Sequence, residues 1–392
     1  MNKVRTLIDC CNITTGKLDA NHFVPNGKYP FFTCAKDPIS IDSFSFDDDV
    51  ILVAGNNASG NFHLNRYRGK FDAYQRTYIL TAKISVDLDY VYYSLATSLQ
   101  QLKQKSQGSQ TKFLTMPILT NLPVPEQGKD EIKIAAILKA IDSKIELNNK
   151  INAELEKMAK TLYDYWFVQF DFPDINGKPY KSSGGKMVWS ETLKRKIPEL
   201  WEVKKISSKI KIGSGYPFKT EDYDDKGKYR IITIKSVQKG NLDTSKADKI
   251  NFIPDNISGF CKLEKGDVLI SLTGNVGRLC FVDQDDLLLN QRVGKLLADS
   301  NFANYGYLYF NRQENQKRLE KIANGSSQSN LSPVEAVKDS FPIPEKNILE
   351  RFSDISNPLF QAIIKTKEEN QKFVELRDWL LPMLMNGQVV VN

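Results

Sequence analysis

Residues 131–166 read EIKIAAILKAIDSKIELNNKINAELEKMAKTLYDYW, a stretch of 36 residues without glycine or proline. At about 1.5 Å per residue, a helix of this length would extend on the order of 54 Å. An ordinary amphipathic helix packed on its own domain is the alternative, but globular helices average about 10 to 14 residues. The stretch therefore predicts a long helix that pairs with another helix. Its apolar residues follow the heptad steps of four and three: Ile134, Leu138, Ile141, Ile145, Leu155, Ala159, Leu162 and Trp166.

A second stretch, later in the sequence, repeats this pattern with a polar centre of its own. Asn148 and Asn152 interrupt the first apolar seam, and Glu369 and Asn370 interrupt the second. A buried amide at such a position fixes the register of two helices at some cost in stability. Both orientations would align the polar centres, but an antiparallel pair also relates two heads by a twofold axis. The second seam consists of Ile355, Leu359, Ala362, Thr366, Phe373, Leu376, Leu380 and Met383.

The residues ahead of each helix form two related halves. The offset grows from 200 residues at the Gly-Lys-Tyr match to 218 at the Asp-Val match, so the second half carries about 18 extra residues between positions 230 and 265. Units of this size exceed any solenoid or propeller repeat, which indicates duplicated domains. The matching runs keep their order: Gly27-Lys28-Tyr29 with Gly227-Lys228-Tyr229, Asp49-Val50-Ile51-Leu52 with Asp267-Val268-Leu269-Ile270, Gln75-Arg76 with Gln291-Arg292, and Leu122-Pro123-Val124-Pro125 with Phe341-Pro342-Ile343-Pro344.

These patterns predict an α+β fold class, with two similar globular domains separated by an antiparallel coiled coil of two long helices and related by an internal pseudo-twofold duplication. Short β-branched runs such as 50–54, 229–234 and 268–272 predict strands, whereas 90–107 and 305–323 predict helices. Proline pairs close both heads. The predicted divisions are 1–128 for the first head, 129–170 for the first spacer helix, 171–197 for a linker, 198–346 for the second head, and 347–392 for the second spacer helix and tail.

The composition is that of a large chain with a mildly basic surface. It has 392 residues, 41% hydrophobic and 26% charged, with a formal charge of +7, which is enough for two or three cores. The charge permits a polyanionic partner, although a solvated basic face explains each cluster equally well. No apolar run reaches the length of a membrane span, so we expect the chain to lie in a reducing cytoplasm. The basic clusters are Arg66, Arg68 and Lys70, and Lys194-Arg195-Lys196 with Lys204, Lys205, Lys209 and Lys211.

Catalytic signatures are missing from the sequence. Five cysteines form no C-x-x-C pair and there are two histidines, so no zinc site is predicted. No glycine-lysine pair lies in a P-loop frame, and no amino-methyltransferase tetrapeptide occurs. Asp174 with Asp224-Asp225-Lys226 is the nearest match to a metal-dependent nuclease, but the first half has no equivalent. We therefore predict a binding protein without a cofactor, a metal or catalytic residues.

Three further stretches carry a family resemblance. They are Phe170-Asp171-Phe172-Pro173 with Gly177-Lys178-Pro179-Tyr180 and Met187-Val188-Trp189, the opening Ile197-Pro198-Glu199-Leu200-Trp201, and Gly266-Asp267-Val268 through Gly274-Asn275-Val276-Gly277 with Asn290-Gln291. With these, the chain resembles the specificity (S) subunit of Type I restriction-modification enzymes over essentially its whole length. The first head departs from the pattern, because it lacks the Ile-Pro-x-x-Trp opening and has Asp48 where the second head has Gly266.

The resemblance implies that each head is a target recognition domain that reads one half of a bipartite, asymmetric site in double-stranded DNA. It implies that the helices bind two methylation subunits, that motor-nuclease subunits join through the complex, and that the chain itself is not an enzyme. For the methylation subunits we expect a docking face that includes Glu154, Lys157 and Lys160. The alternative function is an assembly scaffold with two protein-binding heads and no nucleic acid.

Candidate DNA contacts follow from side-chain chemistry. Gln75-Arg76 and Gln291-Arg292 could pair with bases, but both heads keep this pair, which favours a scaffold or backbone role. Lys211, Tyr216 and Lys219 differ from Asn12, Lys17 and Ala20 of the first head and are better candidates for target-specific contacts. Two loops could hold phosphate or merely cap the next helix: Ser109, Gln110, Thr111 and Lys112, and Ser326, Ser327 and Gln328.

Overall fold

The computed structural model describes residues 4–56, 62–105, 113–323, 329–389 and 391. Contacts divide the chain into two compact units, one of Met1–Glu146 with Lys372–Asn392 and one of Leu147–Gln371. Each unit thus contains one head and a part of both long helices. None of the helices in the described ranges combines the length and the apolar character needed to cross a membrane.

The first head is built on a sheet with strand order β2-β7-β5-β6-β3-β4. In β5, alternate residues face opposite sides of the sheet, and both sides are buried: Ile51 and Val53 join one apolar cluster, and Val50 and Leu52 join another. The elements are β1 (Val4–Thr6), α1 (Leu7–Cys10), β2 (Cys11–Thr15), β3 (Tyr29–Phe32), β4 (Ile39–Ile41), β5 (Phe46–Ala54), β6 (Leu64–Ala73), β7 (Thr77–Ala82), α2 (Leu88–Lys105), α3 (Met116–Thr120), β8 (Pro123–Pro125) and the long helix α4 (Asp130–Tyr163).

The second head contains two sheets, ordered β12-β19-β16-β17 and β14-β13-β18-β15. A hairpin of β9 and β10 precedes it. The elements are β9 (Met187–Ser190), β10 (Arg195–Pro198), β11 (Glu202–Lys205), β12 (Ile210–Ser214), β13 (Tyr229–Ile232), β14 (Lys249–Ile250), β15 (Lys262–Leu263), β16 (Val268–Ser271), β17 (Leu279–Phe281), β18 (Leu287–Leu289), β19 (Val293–Ala298), α5 (Ser300–Asn311), α6 (Gln313–Ile322), α7 (Pro333–Ala336), β20 (Ser340–Ile343) and the long helix α8 (Lys346–Met385).

The two heads share one pairing pattern, which confirms the predicted duplication. The order β2-β7-β5-β6 corresponds to β12-β19-β16-β17, and the antiparallel pair β1–β8 corresponds to β11–β20. In the first head, β6 pairs antiparallel with β5 and parallel with β3. In the second head two shorter strands share this role, because β17 pairs with β16 while β18 runs parallel to β13.

The extra residues of the second head lie where the offset predicts them. The connection between β13 and β14 spans residues 233–248, whereas residues 33–38 connect the equivalent β3 and β4.

The single helix predicted over 305–323 is two helices in the structure. The first, α5, ends at Asn311, and α6 begins at Gln313. At this break the Asn315 side chain donates to the Tyr309 carbonyl at 2.5 Å.

The long helices pair in an antiparallel manner within each unit. In the first unit, Arg377 donates to Asp142 at 2.8 Å. In the second, Asn148 Nδ2 donates to Asn370 Oδ1 at 2.9 Å, and Thr366 donates to Asn152. Higher residue numbers in α4 meet lower numbers in α8, so the polar centres face each other as predicted. A π-helical turn, Asp164–Val168, continues α4.

The predicted apolar seam of α8 is wrong at two positions. Ile355 and Leu376 remain 47% and 42% exposed. The α8 side chains that are buried in the core of the second head are instead Ile348, Leu349, Phe352, Phe360 and Ile363. This helix carries two apolar stripes, and the stripe with the larger aromatic residues packs on the head because it buries more apolar area there.

Apolar packing attaches both heads to their helices, and each joint has additional contacts of its own kind. In the second unit these are aromatic, since the Phe360 ring lies 5.0 Å from that of Phe281 and 5.5 Å from that of Tyr307. In the first unit helix side chains share the buried apolar cluster of the head, and ion pairs are added to it: Arg66 pairs with Asp49 and with Asp89, which also binds Lys139 at 2.6 Å. The hydrogen bond from Arg66 also lowers the pKa of Asp49. Arg66 is thus engaged inside the unit, so it does not belong to a basic face that is open to phosphate.

The linker is ordered against the second head. The rings of Phe170 and Phe172 each lie 5.3 Å from the ring of Trp201. The Asp171 carboxylate accepts from the Ser182 backbone N–H at 2.7 Å and from the Ser182 hydroxyl at 2.6 Å. The Trp201 of the second opening therefore anchors the linker, which explains why the first head has no copy of it.

Candidate nucleic-acid interface

A tight turn carries the glutamine-arginine pair in each head. In the first head, Thr77 N–H donates to the Tyr74 carbonyl at 2.8 Å, which closes the turn between β6 and β7, and Gln75 N–H donates to the Leu18 carbonyl at 2.9 Å. In the second head, Val293 N–H donates to the Asn290 carbonyl at 2.9 Å, and Gln291 N–H donates to the Tyr216 carbonyl at 3.1 Å. The two turns thus share one backbone geometry.

The arginine carbonyl of each turn holds the loop that follows the central strand. Gly55 N–H donates to the Arg76 carbonyl at 2.8 Å, and Leu272 N–H donates to the Arg292 carbonyl at 3.1 Å. A Cβ on Gly55 would lie 2.5 Å from the Arg76 oxygen, so this approach requires glycine. The glutamine-arginine pair of each head therefore has a structural role through its backbone, while both arginine side chains extend to solvent.

The same loops also anchor the segments that follow the two predicted phosphate loops. Leu114 N–H donates to the Gly55 carbonyl at 2.9 Å, and Leu331 N–H donates to the Leu272 carbonyl at 2.7 Å. The Tyr78 hydroxyl donates to the Leu114 carbonyl at 2.8 Å, and burial raises the pKa of Tyr78, which keeps this donor protonated. The candidates Ser109, Gln110, Thr111, Lys112, Ser326, Ser327 and Gln328 lie outside the described residues.

The glutamine side chains of the two glutamine-arginine pairs have different surroundings. Gln75 Nε2 donates to Asp19 at 2.8 Å, so its amide is held in place. Gln291 and Arg292 are exposed, as is Arg76. Within the described parts of the chain, neither arginine side chain forms an ion pair, which leaves both guanidinium groups available to an external anion.

The head-specific candidates of the second head lie on and after β12. Lys211 alternates with the buried Ile210 and Ile212, so it points away from the core and is exposed. The Tyr216 hydroxyl donates to Asn256 Oδ1 at 2.9 Å. Lys219 is paired with Glu221 at 3.2 Å. The backbone bond between Gln291 and Tyr216 places these two residues side by side. Lys211 lies earlier in the chain, on β12.

The structural counterpart of Tyr216 differs from the one that the sequence offset gives. Tyr216 forms an isolated parallel bridge with Asn290, and Leu18 forms the equivalent bridge with Tyr74. Leu18, and not Lys17, therefore occupies the position of Tyr216 in the first head. The contrast between the heads persists, since an aliphatic residue replaces a phenol that forms hydrogen bonds.

Most cations of the basic cluster at the entrance to the second head are occupied. Lys194 pairs with Glu191 at 2.9 Å, and Lys204 pairs with Glu202. Arg195 and Lys209 lie over the rings of Phe170 and Phe302, at 5.0 and 5.5 Å. Two cations of this cluster are thus paired with carboxylates and two lie over aromatic rings, while Lys211 is the DNA-contact candidate of the cluster that stays exposed without such a contact in the described ranges.

A separate surface lies on the paired helices of the second unit. Met158, Tyr165 and Ile355, which are 56%, 38% and 47% exposed, line an apolar groove of about 420 Å³ together with Leu162 and Leu359. Glu154 and Lys157 form its rim and pair with each other at 3.7 Å. Lys160 does not lie on this face, because it lines a different cleft. The sequence carried a signal for this groove in the second apolar stripe of α8.

The first unit carries a related exposed surface. With the offset of 218 that relates Asp49 to Asp267, Ile355 corresponds to Ile137, and Met158 corresponds to Leu376. Ile137 and Leu376 are 36% and 42% exposed, and Trp379, the counterpart of Thr161, is 60% exposed. Each unit therefore presents apolar side chains at equivalent positions of its helices.

Comparisons with known proteins agree with this duplicated architecture. A family model described as the Type I restriction modification DNA specificity domain matches residues 2–157 and again residues 198–372. The chain is 29% identical over 235 residues to the Type I restriction enzyme EcoDI specificity subunit of Escherichia coli, which covers 55% of this chain and 51% of that protein. It therefore spans about half the length of that relative.

Two further comparisons cover more of the chain. The Type I restriction enzyme MjaIX specificity subunit of Methanocaldococcus jannaschii is 27% identical over 323 residues, which is 79% of this chain and 71% of that protein. The crystal structure of the S subunit of a Type I restriction-modification system from M. genitalium superposes with a TM-score of 0.60 at 18% identity, and the match covers 97% of this chain and 95% of that one. The family resemblance predicted from the sequence is confirmed, and the chain belongs to the Type I restriction-modification DNA specificity family, whose domain it carries twice.

Proposed function

We propose that this chain is the non-catalytic specificity subunit of a Type I restriction-modification complex, and that its two heads read the two unlike halves of a bipartite site in double-stranded DNA. The observation that carries the proposal is the repeated specificity domain, each copy of which includes most of a long helix. Two unlike readers joined by a spacer suit two unlike half-sites separated by uncontacted bases. We also propose a cytoplasmic location, where its free cysteines would stay reduced.

In this proposal the shared and the head-specific residues have different roles. Arg76 and Arg292 hold the same loops in both heads, so their side chains would contact the DNA backbone in the same way at both half-sites. Lys211, Tyr216 and Lys219 belong to the second head alone and would contribute to its base preference. The phosphate-loop candidates at 109–112 and 326–328 remain part of the proposal.

The first experiment measures binding of the purified full chain to a mixed-sequence DNA duplex at several salt concentrations. Affinity should fall linearly with salt on a logarithmic scale, because neutralised phosphates release counterions. The salt dependence is the informative quantity, since it reports the number of phosphates contacted. Binding that is absent, or independent of salt, would favour the alternative of a scaffold with two protein-binding heads.

We further propose that two methylation subunits dock on the helices, one in each unit, and that motor-nuclease subunits join through that complex. The support is the pair of equivalent exposed apolar surfaces, since two copies of one partner require two similar sites. Isolated exposed apolar residues are common, but a groove lined by several of them is typical of an interaction surface. Glu154 and Lys157 on the rim would set the orientation of the partner.

The docking proposal is tested by placing a charge in each surface. Met158→Glu in the second unit and Leu376→Glu in the first should each remove one methylation subunit from the complex, because an unpaired carboxylate in an apolar interface is costly. Native mass spectrometry of the co-expressed complex gives the copy number. Lys144→Glu, an exposed substitution elsewhere on α4, is the control. Two bound subunits on both variants would contradict the assignment.

A further inference from the structure

A polar cleft of about 820 Å³ lies in the second unit, apart from the apolar groove. It is lined by the turn from Gly274 to Leu279, by α6, by Lys239 in the connection between β13 and β14, and by Lys160 of α4. The described residues that line it include no aromatic side chain. The cleft is therefore unsuited to stacking a base, and its chemistry is set by charge and amide groups.

The turn from Gly274 to Leu279 is held in one backbone conformation. Gly274 and Gly277 have φ values of 74° and 79°, which other residues rarely adopt. The Ser271 hydroxyl donates to the Asn275 carbonyl at 2.5 Å, and Gln316 Nε2 donates to the Gly277 carbonyl at 2.7 Å. Because Gln316 belongs to α6, this bond also ties the turn to the helix across the cleft.

Three cations line the cleft without a carboxylate partner in the described ranges. Arg278 is half-buried and donates to the neutral Gln238 side chain at 2.7 Å. Lys160 and Lys239 are exposed, and among the described lining residues Glu320 is the one acidic side chain. By contrast, the half-buried cations Lys295 and Arg318 of this head are each paired with an aspartate, at 2.6 and 3.0 Å. The excess positive charge in a polar cleft suits an anion.

The position of the cleft identifies the kind of anion. Ser329 lines it, and its carbonyl accepts from Gly274 N–H at 2.9 Å. Ser329 directly follows the segment of Ser326, Ser327 and Gln328 in the sequence. We propose that this cleft holds phosphodiester groups of the duplex beside the second half-site, an inference that rests on the proposed function. Arg278, Lys239 and Lys160 provide the charge, and the groups contribute affinity without reading bases.

Among the described residues of the first unit, two of the three cations of the cleft have no equivalent. Lys239 belongs to residues 233–248, where the second head is longer than the first. With the offset of 218, the counterpart of Lys160 is Asp378, which carries the opposite charge. The additional backbone contact is therefore specific to one half of the molecule, and the second half-site should contribute more salt-dependent affinity than the first.

The test compares the wild-type full chain with the double variant Lys160→Gln and Lys239→Gln in binding to a mixed-sequence duplex. The slope of log affinity against log salt should become shallower by about 1 to 2, because each lost phosphate contact reduces it by about 1. Lys262→Gln, an exposed lysine of the same head that does not line the cleft, should leave the slope unchanged. Arg278→Lys should keep the slope, and Arg278→Gln should reduce it.

The outcomes separate this inference from the proposed function. If the wild type binds DNA with the expected salt dependence while the double variant has the same slope and affinity, the cleft is not a phosphate site and the inference is overturned. If the wild type itself shows no salt-dependent binding, the proposed function fails first. Loss of methylation subunits from the double variant, with unchanged DNA binding, would also overturn the inference.

Discussion

Arg76 and Arg292 use their backbone atoms inside the fold and leave their side chains exposed. Their carbonyls hold the loops after β5 and β16, and their guanidinium groups reach solvent. The sequence predicted a scaffold or backbone role because both heads keep the pair. The backbone bonds are compatible with that prediction, and the contact of the side chains with DNA is a proposal.

Replacing these arginines should lower affinity without changing sequence preference. Arg292→Gln keeps the backbone bonds and removes one phosphate-binding charge, so binding to matched and unmatched duplexes should weaken by a similar factor and the salt slope should fall by about 1. Binding to a duplex library randomised in one half-site measures both quantities. In the same assay Tyr216→Phe should alter preference in the second half-site, and a changed preference in Arg292→Gln would contradict the backbone role.

Asp283 gives a prediction about stability and pH. It is 5% exposed, its Oδ1 has no hydrogen-bond partner among the described residues, and burial raises its pKa despite nearby Lys367. A raised carboxyl pKa means that the folded state binds the proton more tightly, so this group costs stability when ionised and costs less as pH falls through its folded pKa. Asp283→Asn should therefore stabilise the chain by about 1 kcal/mol near pH 8.

The measurement is urea unfolding of both proteins at pH 8 and pH 5. The advantage of the variant should be smaller at pH 5, since the wild-type carboxyl is closer to protonation there. Lys367 keeps the Gly240 carbonyl and Glu156 as partners in the variant. A destabilised variant at pH 8 would mean that attraction to Lys367 outweighs the cost of burial.

At the scale of elements, the long helices were the most predictable part of the chain. A run of 36 residues without a helix breaker has few other solutions, and α4 follows it from Asp130 to Tyr163. The polar layer was predictable as well, because two amide-rich centres can satisfy each other. The seam of α8 was not, since periodicity identifies apolar stripes without showing which stripe meets the larger core.

A matched insertion in both helices tests whether they set the spacing of the half-sites. Four residues after Asn149 and four after Asn370 add about 6 Å to each helix, and they exceed one helical turn only slightly. The preferred gap should grow by one or two base pairs, at about 3.4 Å each, with both half-sites unchanged. Methylation of a library with a randomised gap, by the reconstituted complex, provides the measurement.

The design of the insertion follows from the polar layer. Asn370 Nδ2 donates to Asn149 Oδ1 at 2.9 Å, and the insertion separates these residues. Each insert should therefore carry one asparagine to face the displaced partner. An insertion in α4 alone, which shifts the pairing on one side, is the control expected to lose stability. An unchanged gap in the folded double insertion would mean that the helices do not determine the distance.

At the scale of the whole molecule, the duplication and the family could be predicted from the sequence, but the composition of the compact units could not. The predicted division into heads, spacer helices and linker follows the chain, whereas the structure groups residues 372–392 with the first head. Contacts such as that of Gln127 with the Leu384 carbonyl, at 2.7 Å, join residues far apart in the sequence. No local pattern encodes such pairings, because they depend on the antiparallel return of α8.

Exchange of one head should change one half of the recognised site. Replacing residues 198–346 with the corresponding head of a relative should keep the fold if the donor retains tryptophan at position 201, which packs on Phe170 and Phe172 of the linker. A donor with another residue at that position is the matched control and should destabilise the linker. Methylation mapping reports the site, and a change in both halves by a folded chimaera would refute independent reading.

The C-terminal part of α8 packs with the first head, which affects the order in which the two units can fold during translation. Leu381, Leu384 and Met385 belong to the core of the first unit, yet they are translated after every residue of the second unit. Domains usually fold in the order of their synthesis. The first head emerges early with an incomplete core, so we expect the second unit to close first, although it is translated later. A released chain that ends at residue 371 should therefore protect the second head from protease, while the first remains open to cleavage.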